Sequence, residues 1–151
     1  MILKWFLVVL FLSFSLLSCE SQNSSYKEAQ LKELVERIWV DAVEGNLEAL
    51  SEIHLDSPKF SKFGPRISTR QDVKSTNINE AEHFLSIQDA SFKLEDIKVD
   101  IFGEVAVTTF YNNYSFIKNE IPIKGKARVT LVFISTEKGW KIVHEHSSPF
   151  I

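Results

Sequence analysis

The sequence predicts an α+β domain in which N-terminal helices pack on the concave face of one curved antiparallel sheet. Three observations carry that prediction. A helix-period apolar stripe comes first, strand-like segments rich in β-branched and aromatic residues fill the second half, and the gaps between those segments suit hairpins rather than crossovers. The stripe is Leu31, Leu34, Val35, Ile38, Trp39, Ala42 and Val43, which falls on one face of a helix over residues 26–44. Gly45 ends that helix, and Asn46 caps a second whose apolar face is Leu47, Leu50 and Ile53. Pro58, Gly64 and Pro65 then break the pattern, so residues 57–66 read as a loop whose Phe60 and Phe63 need cover. Residues 71–87 form a weaker helix with Val73, Ile78, Ala81, Phe84 and Leu85 as its apolar set.

The strand half begins with Phe92, Leu94, Ile97, Val99 and Ile101 and turns at Gly103-Glu104. Residues 105–116 and 127–134 are the next strands, joined by a link over residues 122–125. Lys138-Gly139 makes a tight turn into a last strand over residues 140–146. A length of 151 residues suits one domain, and 44% apolar with 25% charged residues excludes wholesale disorder. The net charge of −3 argues against nucleic acid as a partner. One cysteine cannot make an internal disulfide or a Cys-rich zinc cage. The five scattered glycines build no phosphate-cradling loop, so neither a cofactor nor a metal is expected.

Residues 1–19 differ from the rest: Lys4 is the only charge, and an apolar run from Trp5 to Leu12 is extended by Phe14, Leu16 and Leu17. Leu16-Leu17-Ser18-Cys19 resembles a bacterial lipoprotein signal box, with Leu17 in place of the usual small residue. That resemblance implies cleavage after residue 18 and acylation of Cys19. Residues 19–25 would then be an acylated polar tether, and residues 26–151 the folded domain. The expected partner is the membrane, and the expected location is the bacterial cell envelope, on the periplasmic side, outside the cytoplasm.

The terminal run Gly139-Trp140-Lys141-Ile142-Val143-His144-Glu145-His146-Ser147-Ser148 is similar to the ending of the SnoaL-like branch of the nuclear transport factor 2-like superfamily. It also looks like the ending of the calcium/calmodulin-dependent kinase association domain. Residues 44–50, 60–64, 103–107 and Arg128-Val129-Thr130 match further pieces in the same order. The resemblance implies a cone-shaped α+β barrel with a pocket at its open end, commonly dimeric through the sheet. Polyketide cyclases, steroid isomerases, dehydratases, assembly hubs and non-catalytic binders share that fold, so it leaves function open.

Within that frame, His144 and His146 share one strand face, in a row with Trp140 and Ile142. They could ligate a metal for which no third ligand is evident, carry protons, or hydrogen-bond within the sheet or across a dimer. A tight turn at Glu137-Lys138 sets Thr130 opposite Glu145 and Arg128 opposite Ser147, with the histidines on the other face unless a bulge intervenes. Arg128 is then either an ion-pair partner of Glu145 or an anchor for a ligand carboxylate. Tyr111 and Tyr114 are candidate hydrogen-bond donors, with Asp56, Asp72, Asp89 and Glu145 as candidate acids. Asn46 stands where many relatives carry an acid, and His54 and His83 read as surface or cap residues. Trp39 is a candidate for filling or lining the pocket. The expectation is a lipid-anchored, SnoaL-like domain that binds a small apolar or carboxylate ligand, or forms a homodimer, without turnover. The alternative is an isomerase, cyclase or hydratase working by general acid–base catalysis in the pocket.

Overall fold

The computed structural model describes the backbone of residues 3–150 and the side chains of residues 24–150, so the side chains of the expected signal segment, residues 1–18, and of Cys19 lie outside the described residues. Among the described residues no helix is long and apolar enough to cross a membrane. The first helix, α1 (Leu3–Glu44), includes Ser24 and Ser25 and carries the expected stripe. Leu31 and Val35 are completely buried, and Leu34, Ile38 and Trp39 pack against the core they start. Burying an aliphatic side chain of this size contributes about 1.5–3 kcal/mol, so the stripe rather than helix propensity anchors α1. Gly45 ends α1 at φ +74°, and Asn46 caps α2 (Leu47–Ile53) by accepting from the Ala49 N–H.

Six strands follow: β1 (Ser61–Gly64), β2 (Ile67–Gln71), β3 (Gln88–Phe102), β4 (Val105–Lys118), β5 (Ile121–Thr136) and β6 (Gly139–Pro149). A third helix, α3 (Val73–Leu85), separates β2 from β3. The strands make one sheet in the order β2-β1-β6-β5-β4-β3, and its long arm from β3 to β6 is the predicted antiparallel meander. Ala106, Phe110, Val129, Leu131, Phe133 and Ile142 form the core face of that arm, against Leu31 and Val35. Register shifts in β3 coincide with Asp89 and Asp96, both at positive φ, and such bulges bend a strand round its neighbour helix.

Residues 57–66, expected as a loop, contain β1 and open a hairpin. β1 pairs parallel to β6, with Lys62 opposite Glu145, so the sheet is mostly rather than wholly antiparallel. A four-residue strand is too short to show an alternation of its own. The alignment is prepared upstream, where His54 bridges Ile142 and the Leu55 N–H donates to the Ile142 carbonyl at 2.8 Å. Phe60 is buried edge-on to His54, whereas Phe63 is 41% exposed beside His144 and His146.

Two other expectations need correction. The supposed link over residues 122–125 belongs to β5, because Asn119 and Glu120, both at positive φ, make the two-residue turn themselves. β6 pairs no further than Ala127, so one edge of β5 is free at Pro122 and its missing N–H costs nothing. Gly125 faces Tyr114 across the ladder, and a Cβ there would come within 2.4 Å of the Tyr114 hydroxyl. In α3, Leu85 is 75% and Ile78 49% exposed, while Thr76 and His83 are buried. The inward face of this helix is polar, since what it covers is polar.

The decisive irregularity lies in the last hairpin. Phe133 pairs with Ile142 but Val132 pairs with His144, so Val143 is an extra residue on β6. Ile142 and Trp140 face the core before the bulge; after it Glu145 and Ser147 face inward, and His144 and His146 outward. The expected rows are therefore exchanged: Arg128 and Thr130 lie with the histidines, and Glu145 lies alone on the inner face. Deleting Val143 should straighten β6 while keeping Ile142 opposite Phe133 and Glu145 opposite Leu131, so Glu145 should stay on the inner face. Urea unfolding should then show a loss below the roughly 3 kcal/mol of a broken buried ion pair, and a larger loss would show that the bulge itself holds Glu145 against Lys62.

Candidate functional site

Four charged groups meet where the bulge turns Glu145 inward. Lys62 Nζ lies 2.6 Å from Glu145 Oε1 and also contacts Glu80 Oε1. His54 Nε2 lies 3.9 Å from one oxygen of each carboxylate. His54 Nδ1 is 2.8 Å from Asn77 Oδ1, and the Asn77 amide donates to Ser51 Oγ. With Asn77 Oδ1 as acceptor, Nδ1 carries a proton, and the two carboxylates favour a second one on Nε2. Two cations then balance two anions, and α2's end, β1, α3 and β6 are tied by one buried cluster.

Beside this cluster the cone opens into a cavity of about 360 Å³. Its aromatic wall is a continuous chain of rings. Trp39 meets Phe92 at 5.0 Å, Phe92 meets Phe84 at 6.2 Å, Phe84 meets His83 at 5.2 Å and His83 meets Phe116 at 5.5 Å. Phe116 stacks on Tyr114, which lies against Gly125. Lys62, Glu80 and Glu145 form the charged wall, and Arg66 and Lys118 also line the cavity without a carboxylate within 4 Å among the described residues. Asn112 sits on the inner face of β4, and its Oδ1, Trp39 Nε1 and His83 Nδ1 are buried in this lining without hydrogen-bond partners.

The electrostatics pull these groups away from neutrality. Burial pushes the Glu145 carboxyl up, but the Lys62 ammonium and His54 hold it down at about 2. Burial likewise opposes the Lys62 charge, yet Glu145 and Glu80 raise it to about 12. His54 is raised from 6.5 by the same carboxylates against its own burial. His83 is lowered to about 4, first by burial and then by Arg66, Lys118 and Lys62. Burial also lowers Arg66. His54, Glu80 and Glu145 offer ligand atoms within 4.8 Å of one another, a spacing a cation could use. The Lys62 ammonium already sits on both carboxylates, and a metal ion would have to displace it.

Of the residues singled out from the sequence, Glu145, Trp39 and Tyr114 line the cavity. Arg128, Thr130, Tyr111, His144 and His146 lie on the outer face. There Arg128 donates to the Pro149 carbonyl at 3.2 Å and His144 Nδ1 lies 2.9 Å from Ser61 Oγ. Tyr111 lies under Lys126 Nζ, 4.7 Å from its ring centre, and edge-on to Phe150. Asp56 and Asp89 are exposed, and Asp72 caps α3 through Ser75. His54 and His83, expected at the surface, are both buried. Lys62, Glu80, Arg66 and Asn112 were not foreseen. The one available signal was the polar set Thr76, Asn79, Glu80 and His83 at helical spacing, which reads equally well as a solvated face.

Replacing Lys62 by Met should leave two buried carboxylates facing each other, at a cost of about 3–5 kcal/mol in urea unfolding at neutral pH. The pH limbs follow from the shifts. His83, depressed in the fold, contributes stability that is present above 6.5 and lost as pH falls towards about 4; that of Glu145 is present above 4.5 and lost towards about 2. His54, raised in the fold, contributes stability below 6.5 that is lost at higher pH. His83→Leu should therefore flatten the limb between 6.5 and 4 in thermal melts, and an unaltered limb would show that another group carries it.

A family model described as the SnoaL-like domain matches residues 31–151. Among solved structures, a candidate dehydratase of the nuclear transport factor 2-like family from Streptomyces avermitilis superposes with a TM-score of 0.77 at 20% identity, covering 84% of this chain and 98% of its own. A nuclear transport factor 2-like superfamily protein from Salmonella enterica gives 0.73 at 19% identity, over 81% and 89%. The calcium/calmodulin-dependent kinase II hub of S. rosetta gives 0.66 at 19% identity, over 82% and 96%. Identities this low speak for the fold alone, and no curated protein matches the chain. The family match spans the whole helix-and-sheet unit, including the bulged last strand: the chain belongs to the SnoaL-like domain family.

Proposed function

We propose that this is a lipid-anchored cell-envelope protein whose SnoaL-like domain holds a small, apolar-bodied carboxylate in the cone without turning it over. The observation that carries the reading is the open, aromatic-walled cavity of about 360 Å³ lined also by two cations, Arg66 and Lys118, that have no carboxylate within 4 Å among the described residues. Phe60 and Phe63 do not fill it, since one is buried against His54 and the other lies on the outer face. An apolar acid would lay its body along the rings and its charge beside Arg66 and Lys118.

Acid–base isomerase, cyclase or hydratase chemistry is the second reading, supported by Glu145 and Tyr114 sharing the cavity and by the neighbour described as a candidate dehydratase. Against it, a carboxylate held at about 2 is a weak base and an ammonium held at about 12 a weak acid, far from the values proton transfer needs near neutrality. The neighbour named as a hub supports self-association as a further property of the domain.

The test is fluorescence titration of the full chain with 2-naphthoate and with neutral 2-naphthamide. The acid should bind more tightly, and increasingly so at low salt. Arg66→Met combined with Lys118→Met should weaken the acid about tenfold or more without lowering the melting temperature. Arg128→Ala, on the outer face, should leave binding unchanged and shift stability by less than about 0.5 kcal/mol. Equal binding of acid and amide, unaffected by the double substitution, would remove the anion-binding reading. For the anchor, Cys19→Ser should move the chain from the membrane to the soluble fraction and abolish its acyl mass; a variant that stays in the membrane would sink it.

A further inference from the structure

The three buried polar atoms of the cavity lining deepen this reading, on which the inference rests. Asn112 is 3% and His83 8% exposed, and among the described residues neither Asn112 Oδ1, His83 Nδ1 nor Trp39 Nε1 has a hydrogen-bond partner. Unpartnered polar atoms at such depth destabilise the fold that contains them, so each calls for an explanation. Asn112 is the clearest case. It sits between Phe110 and Tyr114 on the inner face of β4, opposite Leu94 of β3 and Ala127 of β5, where an apolar side chain would pack. The ladder there is made by the backbone, so the amide is not needed to hold the sheet. Trp39 is fixed by Phe92 and Phe110, and His83 by Phe84 and Phe116, so the polar atoms are held by their ring neighbours rather than by partners of their own.

The types of these atoms restrict what can meet them. The Trp39 indole only donates and Asn112 Oδ1 only accepts. A carboxylate brings no donor for Asn112, and its fit is to the lining cations Arg66 and Lys118 instead. An ammonium brings no acceptor for Trp39 and would face Lys62. A hydroxyl both donates and accepts, and carries no charge. We propose that Asn112 and Trp39, both beside Phe110, form a subsite for the neutral hydroxyl of a ring-bearing hydroxy acid, whose carboxylate lies at Arg66 and Lys118 on the His83 side of the cavity.

The experiment titrates the full chain with 2-naphthoate, 6-hydroxy-2-naphthoate and 6-methoxy-2-naphthoate, the last able to accept but not donate. The hydroxy acid should bind about tenfold or more tightly than the other two, because a site built for a hydroxyl rejects analogues that leave its polar groups unpaired. Asn112→Leu should erase that preference while keeping the 2-naphthoate affinity, and should not lower the melting temperature of the ligand-free protein. Trp39→Phe, which removes the indole N–H and keeps an aromatic ring, reads the same preference should Asn112→Leu fold poorly. Thr108→Val is the control, since its buried, unpartnered hydroxyl is not part of the cavity lining; the preference should survive it. Equal affinity for the three acids, or a preference that survives both Asn112→Leu and Trp39→Phe, overturns the subsite while leaving anion binding intact. Loss of all binding to the wild-type chain overturns the anion-binding reading and the subsite together.

Discussion

The contact between Lys62 and Glu145, shared with Glu80 and His54, is the constraint on which the rest of the site depends. A buried charge is tolerated only when paired and hydrogen-bonded, so these elements cannot move independently. β1 must lie parallel to β6 in the one register that puts Lys62 opposite Glu145. α3 must cross where Glu80 reaches the same ammonium, and α2 must end where His54 closes the ring. The cluster is weak evidence for high stability, because well-packed apolar residues in its place would do as well or better. What it specifies is position, and the position is that of the cavity wall.

The bulge at Val143 makes that wall possible. Were β6 paired regularly through Val143, period-two alternation would carry the core face of Ile142 on to His144 and His146 and turn Glu145 outward. One bulge in the final hairpin thus decides which chemistry enters the cone: an anion locked to a lysine, rather than two imidazoles. The histidines are left on the outer surface, beside Phe63 and Ser61, where they hold the junction of β1 and β6 from the other side.

The sequence showed whatever is periodic. The stripe from Leu31 to Ala42, the Asn46 cap and the turns at Gly103 and Gly139 all lie where spacing and turn chemistry put them, while Val43 at the end of the stripe is exposed. The site was far less legible, for three physical reasons. A register shift of one residue leaves no trace in composition, yet it exchanges the inner and outer sets on β6. A four-residue strand has too few residues to alternate, so Lys62 looked like part of a loop. A helix that covers a polar cluster buries polar residues, so Thr76, Glu80 and His83 read as a wet face while Leu85 and Ile78 read as a dry one. All three failures fall on the cavity, because that is where local pattern and tertiary demand disagree.

The polar groups of the cone divide into two sets with opposite characters. Lys62, Glu80, Glu145 and His54 satisfy one another, and their mutual attraction draws Lys62 and Glu145 far from neutral titration. Arg66, Lys118, Asn112, Trp39 and His83 line the same space with capacity left over. A general acid or base needs a group that is both held in place and free to exchange a proton, and neither set provides one readily. The first is held but saturated; the second is available, but its histidine stays neutral near pH 7. That division is what a binding site requires: a wall whose charges already pair with one another, and beside it a set of donors, acceptors and cations whose partners must come from outside.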